Sequence, residues 1–500
     1  MTSNSRSLCW HAGPAGALAV TIVVALIAGT VAASSSTAAS VVADVIALVD
    51  AGQFEKARSR IKEAASSGSL ANAQRRALEF EQERMRRILL DFRLTEEQAM
   101  SRVREAIPDL RREEFSAWDS AGLLEHQVID GRKLYFARAP SNLFRLSTAA
   151  LARRASPPSW VDSPLESTHP HHLEVVEAAV KSGSSSVAPQ RVRITQSITV
   201  NADAVPAGQL IRTWIPYPRA IPGQQEGIQF VSSEPRRHWI APETTRQRTV
   251  FFVKPAVAGV PTEFSVTYAL TIFARYQPID PEKVVPAQVD ASLAPHAFER
   301  APHIVFTPQL RQFSAGVLHG ETNPYRVAQK LFAAVDRIPW AGAREYSTIT
   351  NISDYALNAG HADCGQQTLL LMTLLRLNGI PARWQSGWIF SDGQGADNYD
   401  NMHDWGWLYL APYGWVPMDV TFGRLDSRDA RVAQFYLGGL DAFRITFNDD
   451  YSQPFVPEKQ HFRSETVDLQ RGEVEWRGGN LYFDQWDYEF RAQVLPPQGQ

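Results

Sequence analysis

The chain has 500 residues, 44% of them apolar and 21% charged, and its 50 Lys and Arg against 53 Asp and Glu leave a formal net charge of −3. That is the composition of ordinary globular protein, and it excludes wholesale disorder, a coiled coil and a polytopic membrane protein. It supplies no net basic field for nucleic acid, so no nucleic-acid partner is predicted; at about 150 residues per domain, the length predicts roughly three domains.

Arg6 is the only charge before Asp44, and Ala15 to Ala33 is an unbroken run of Ala, Val, Leu, Ile, Gly and Thr. Residues 1–33 therefore read as a signal peptide or an N-terminal anchor, and either outcome places the rest outside the cytoplasm, periplasmic or secreted. Membrane contact is expected only through this segment if it stays uncleaved. Of the two cysteines, Cys9 lies ahead of the apolar run and Cys364 far beyond it, so no intramolecular disulfide is expected.

Residues 41–150 predict a helical N-terminal domain with a β-hairpin. Val41, Val45 and Val49, then Phe54, Ala57 and Ile61, recur at helical spacing. Thr95 and Gln98 have the spacing of a capping box, and Asp130-Gly131 between apolar runs predicts the hairpin turn. Residues 151–186, rich in Pro, Ser and His, read as a linker with one short helix. Its histidines, His169, His171 and His172, lack the spacing of metal ligands and read as a solvated turn. From Val192 the period becomes two: Val192, Ile194, Ile198 and Val200, then Phe264, Val266, Tyr268 and Leu270, alternate with polar residues. Residues 187–276 are therefore expected to form a β-sandwich without a catalytic group.

The chemistry concentrates in residues 277–455, with 456–500 read as a C-terminal extension. Cys364 precedes a Leu/Met-rich helical stretch that ends at Gly379 and Pro381. A cysteine at a helix N-terminus is poised to ionise, because the dipole and free N–H groups favour the thiolate. A strand follows over Ile380–Phe390, then a polar loop, a second strand from His403 to Leu410, a short turn, and a returning strand from Trp415 to Asp419. Antiparallel pairing of the last two brings Asp419 back beside His403. Cys364, His403 and Asp419 can then form a relay in which the imidazole takes the thiol proton and the carboxylate fixes its tautomer. His361, on the cysteine's own approach loop, is the weaker base candidate.

Asp363-Cys364-Gly365, Leu377-Asn-Gly-Ile-Pro-Ala-Arg383 leading to Gly387-Trp388, His403-x-Trp405 and Gly414-Trp415-x-Pro417-x-Asp419 together resemble the transglutaminase-like superfamily, whose fold is papain-like. The resemblance covers roughly 100 residues. It implies nucleophile Cys364, base His403 and orienting Asp419, acting on amide carbonyls through a thioester, with a β-sandwich preceding the core. Two positions depart from the family pattern: Trp407 stands where a Glu is usual, and Ala362 precedes the Asp-Cys pair in place of the frequent Gly. The oxyanion donors are the Cys364 N–H and a second group, with Asn358 and Trp340 both open. Tryptophans 384, 388, 405, 407 and 415 read mainly as core between sheet and helices, with a substrate groove as the alternative.

The predicted fold class is thus α+β and multidomain: a helical N-terminal region, a β-sandwich, then a papain-like transglutaminase core whose cysteine helix packs on an antiparallel sheet. The predicted function is an exported cysteine-triad enzyme that hydrolyses or transfers amide or isopeptide bonds. Its partners would be peptide or protein amide substrates, peptidoglycan peptides among them. No cofactor and no metal is predicted. The alternative is a non-catalytic peptide-binding or scaffold protein on the same core.

Overall fold

The computed structural model describes residues 41–68, 70–391 and 402–496. The predicted signal segment, Cys9 and most of the polar loop before His403 lie outside the described residues. No helix among the described residues is long and apolar enough to cross a membrane. The fold is α+β, and its chain divides into two compact units, 1–86 with 128–132, and 87–127 with 133–500.

In the first unit, helices over 41–50 and Phe54–Ser66 bury Val45, Val49, Phe54, Ala57 and Ile61, the stripe expected from the spacing. Arg84 is buried there and pairs with Glu81 and Asp50, each at 2.7 Å. Gly52 has φ of 69°, and a Cβ at that position would run into the Val128 carbonyl, so only glycine fits the turn.

The second unit opens on the strand Phe92–Leu94 and the helix Glu96–Ala106, whose N-terminus carries the expected capping box between Thr95 and Gln98. The helix Pro170–Ser182 then buries Val175, Val176 and Ala179. Its packing corrects the solvated-turn reading of the histidines: His171 and His172 are buried in the helix's first turn, and His172 Nε2 lies 3.0 Å from the Tyr436 hydroxyl. Apolar residues on one helical face took the adjoining histidines inward with them.

Two five-stranded antiparallel sheets form the sandwich. One runs Gly439–Leu440, Thr262–Tyr276, Ser186–Val200, Trp486–Val494, with Gln225–Glu234 also on Thr262–Tyr276; the other runs Gly479–Leu481, Glu473–Trp476, Leu210–Pro216, Thr249–Pro255, Trp239–Ile240. Alternate residues such as Val192, Ile194, Phe264 and Val266 are buried between them. The range 187–276 does not close the sandwich alone. Strands from beyond residue 438 enter both sheets, because Ser186–Val200 and Leu210–Pro216 each have a free edge whose N–H and C=O groups need partners.

The remaining sheet has the order Gly414–Met418, Met402–Leu410, Ala382–Ile389, Arg444–Asn448, all antiparallel. The helix Cys364–Leu377 lies against it and is buried along its length, with Leu369, Leu370, Leu374 and Leu375 fully enclosed. This burial fixes the position of the helix tip, and Cys364 stands on that tip.

Candidate active site

Asp363 caps the helix: its Oδ1 accepts from the Gln366 N–H at 3.0 Å, while Gln366 Oε1 accepts from the Asp363 N–H at 3.2 Å. Asp-x-x-Gln is therefore a further capping box, legible in the sequence, and it makes Cys364 the first helical residue. Cys364 is buried and its sulfur is a thiol, not part of a disulfide. Gly365 leaves room for its neighbours, since a Cβ there would collide with the Tyr346 hydroxyl and stand 2.9 Å from Asp404 Oδ2.

The strand, turn and returning strand behave as their lengths demand. Leu410 faces Gly414 and Gly406 faces Met418, so the next residue, Asp419, comes back beside the start of the histidine strand. His403 Nε2 lies 2.7 Å from Asp419 Oδ2. That oxygen also accepts from Arg444 at 2.8 Å, and Oδ1 accepts from the N–H groups of Thr421 and Phe422 at 3.2 and 3.1 Å. Burial alone would raise the Asp419 carboxyl, but His403 and then Arg444 outweigh it and hold the group at about 2. Arg444 is itself enclosed and reaches Asp441 Oδ2 at 2.5 Å, and the Tyr436 hydroxyl lies 3.2 Å from the same oxygen. Arg444, which the motifs do not contain, thus bridges the Asp419 and Asp441 carboxylates.

Cys364 and His403 line one cavity together with Asp404. The hydrogen bond of the sulfur runs to Asp404 Oδ2 at 3.1 Å. Asp404 Oδ1 accepts from Gln470 Nε2 at 3.1 Å, and the same amide donates to the His403 carbonyl at 2.9 Å. Burial and the adjoining Asp468 raise the Asp404 carboxyl well above the usual carboxylate range. The cavity wall extends beyond the core: Arg138 and Arg145 come from the helical segment, and Glu465, Asp468 and Gln470 from the C-terminal segment, whereas no lining residue comes from 187–276 among the described residues.

The remaining candidates fall elsewhere. His361 is buried with Nδ1 at 3.1 Å from the Ala359 carbonyl and Nε2 at 3.6 Å from Glu125, outside the cavity lining. Asn358 is exposed and bonds the Asp354 carbonyl, whereas Trp340 borders the cavity. Trp384, Trp405 and Trp407 are core: the indole N–H groups of Trp405 and Trp407 both donate to Gln385 Oε1, at 3.1 and 2.6 Å. At the position where the family pattern has Glu, the guanidiniums of Arg383 and Arg275 lie 5.4 and 5.7 Å from the Trp407 ring, so a π face meets the cations in place of a carboxylate. Among the described residues no group of three or more His, Cys, Asp or Glu side chains is arranged to hold a metal ion.

The family model of the transglutaminase-like superfamily matches residues 311–420, which contain Cys364, His403 and Asp419. No curated protein matches the chain. Among solved structures, the chain is similar to a candidate cysteine protease from Cytophaga hutchinsonii, at 14% identity over 63% of this chain and 94% of that one, with a TM-score of 0.41. It is also similar to the periplasmic domain of TgpA from Pseudomonas aeruginosa, at 15% identity over 52% and 95%, with a TM-score of 0.24. These TM-scores lie below 0.5, and the assignment rests on the family match. Over residues 311–420 the chain is thus similar to the transglutaminase-like superfamily.

Proposed function

We propose that the chain is an exported cysteine-triad enzyme that acts on amide or isopeptide bonds through a thioester, by hydrolysis or acyl transfer. The single observation that carries this reading is the 2.7 Å contact between His403 Nε2 and the enclosed Asp419 carboxylate, with His403 on the same cavity as Cys364. A carboxylate only accepts, so Nε2 carries the proton and the other ring nitrogen is left basic. That nitrogen takes the thiol proton as sulfur attacks the carbonyl carbon, and the resulting imidazolium is stabilised by Asp419. It then protonates the leaving amine as the C–N bond breaks. Water, or an acceptor amine, gives its proton to the imidazole and attacks the thioester; the sulfur leaves and regains its proton from His403.

The substrate class follows from the apolar N-terminal segment: an exported enzyme meets cell-wall peptides and extracytoplasmic proteins. The test is turnover of cross-linked muropeptides and of isopeptide-linked peptides by the full chain and by Cys364→Ala. Loss of turnover in Cys364→Ala, with a covalent acyl adduct on Cys364 trapped in the wild type, is the expected result. Turnover at the wild-type rate in Cys364→Ala would overturn the reading.

A further inference from the structure

The triad uses one of the carboxyl groups near the cysteine and leaves unexplained the one that touches the sulfur. Asp404 Oδ2 accepts from the Cys364 thiol at 3.1 Å, its Oδ1 accepts from Gln470 at 3.1 Å, and the residue is 2% exposed. Asp468, equally enclosed, adjoins it and is met by the Ser386 hydroxyl, and its Oδ2 is a buried oxygen to which no other N–H or O–H group among the described residues donates. Two adjoining carboxylates shut away from water cannot both ionise, and a proton placed between them gives that oxygen a donor.

Resting on the cysteine-enzyme reading above, we propose that Asp404 is a further catalytic residue, a neutral carboxylic acid that accepts the Cys364 S–H at rest and, once the thiol proton has left, turns its own O–H from Asp468 to the sulfur and stabilises the thiolate. Asp468 is the positioning residue that keeps the proton there. When His403 takes the thiol proton, the S–H bond breaks and an N–H bond forms, while the Asp404 O–H stays intact and turns toward the sulfur. The same donor serves when the thioester is cleaved and sulfur departs with the electron pair. Asp404 gives up no proton in either half, so the balance of the cycle is unchanged.

The surroundings agree with this assignment. Asp404 is faced by Asp468, by the helix-capping Asp363 and by the Tyr346 hydroxyl, and burial acts on it more strongly than any of them. Asp363 is itself pushed up by burial to about 7. Asp468 is faced by the Ser386 hydroxyl, Arg463 and Arg471, with Glu465 beside it, and Arg471 is already engaged by Glu345 at 2.6 Å. The cations therefore stand on the Asp468 side, which makes Asp468 the anion and Asp404 the acid. At an active site this is the arrangement that keeps a carboxyl protonated so that it can donate.

The sign of one measurement separates the proposal from its opposite. The full chain, Asp404→Asn, Asp404→Ala and Asp468→Asn are alkylated with iodoacetamide between pH 5 and 9, and the adduct is read on the Cys364 peptide by mass so that Cys9 does not contribute. If Asp404 is an acid that donates to sulfur, Asp404→Ala slows alkylation at pH 6 by about tenfold, because a hydrogen bond to the charged form favours ionisation and its loss raises the thiol pKa. If Asp404 were a carboxylate, its removal would relieve repulsion and speed alkylation, which overturns the proposal. Asp468→Asn releases the shared proton and is expected to bring the alkaline decline of kcat/KM to lower pH, a movement that a merely structural role would not produce. Asp404→Asn, which keeps the shape, shows the carboxylic-acid C=O stretch lost from the infrared difference spectrum; no such band in the folded wild type also counts against the proposal. Alkylation and the infrared band need no substrate, so those two results stand apart from whether the chain turns over an amide.

Discussion

Asp419→Asn removes one charge from the site with almost no change of shape. The amide oxygen still accepts from the Thr421 and Phe422 N–H groups, but its NH2 now faces two donors, His403 Nε2 and Arg444. The imidazole relieves the clash by moving its proton to the other ring nitrogen, which is the one that must receive the thiol proton. Under the proposed mechanism kcat falls by about 10² to 10⁴, as for a relay held in the wrong tautomer, and remains above the level of Cys364→Ala. Stability changes with a defined pH signature. A carboxyl lowered from 3.8 to about 2 contributes about 2 kcal/mol to the folded state. Because the folded value lies below the unfolded one, this contribution is complete above pH 4 and is lost as the pH falls from 4 through 2. Urea midpoints at pH 7 and pH 2.5 should therefore show a gap between wild type and variant that narrows in acid. A gap independent of pH would show that Asp419 is not held as an anion; wild-type turnover in the variant would refute its orienting role.

Arg444→Met leaves Asp419 and Asp441 enclosed side by side without their shared cation, and should cost about 3–5 kcal/mol in urea unfolding, with part of the loss recovered by adding Asp441→Asn. Gln385→Leu strips the common acceptor from the Trp405 and Trp407 indoles, for about 1–3 kcal/mol per unpaired donor, while alkylation of Cys364 stays near the wild-type rate because Gln385 does not line the cavity. Gly365→Ala drives a methyl into the Tyr346 hydroxyl and against Asp404, and should lower the thermal midpoint together with the pH dependence of Cys364 alkylation.

What the sequence made legible was the part of the site held together over short spans of chain. Sixteen positions separate His403 from Asp419, and the strand lengths around one tight turn leave little choice but to set them side by side. The helix tip was legible for the same reason, since the Leu/Met run and its end at Gly379 locate Cys364 without reference to the rest of the fold. Arg444 was not, because it reaches Asp419 through the pairing of Arg444–Asn448 with Ala382–Ile389, some 55 positions away, and nothing in Arg-Ile-Thr-Phe-Asn marks the arginine as an inward cation. The C-terminal strands were hidden likewise: Trp486–Val494 pairs with residues 192–200 almost 300 positions earlier, and local pattern carries no information on such pairings.

Asp404 was hidden by the rule that revealed its neighbour. Strict alternation puts His403 and Asp404 on opposite faces of a strand, so a reader following the histidine discards the aspartate. Yet the helix lies against the Asp404 face: the Thr368 hydroxyl donates to the Asp404 carbonyl at 3.3 Å, and a Cβ on Gly406 would stand 3.7 Å from the Thr368 methyl. Both residues border the cavity because they stand at the strand's second and third positions, next to its end. The consequence is a division of labour between carboxyls of identical chemistry. Asp419, gripped by Arg444 and His403, is held ionised, whereas Asp404, set against Asp468 and shut from water, is driven toward the neutral acid. Environments that push two carboxyls apart in this way are how a protein assigns one to orient a base and the other to donate a hydrogen bond. Under the proposed mechanism the Asp following His403 acts on the sulfur as Asp419 acts on the imidazole.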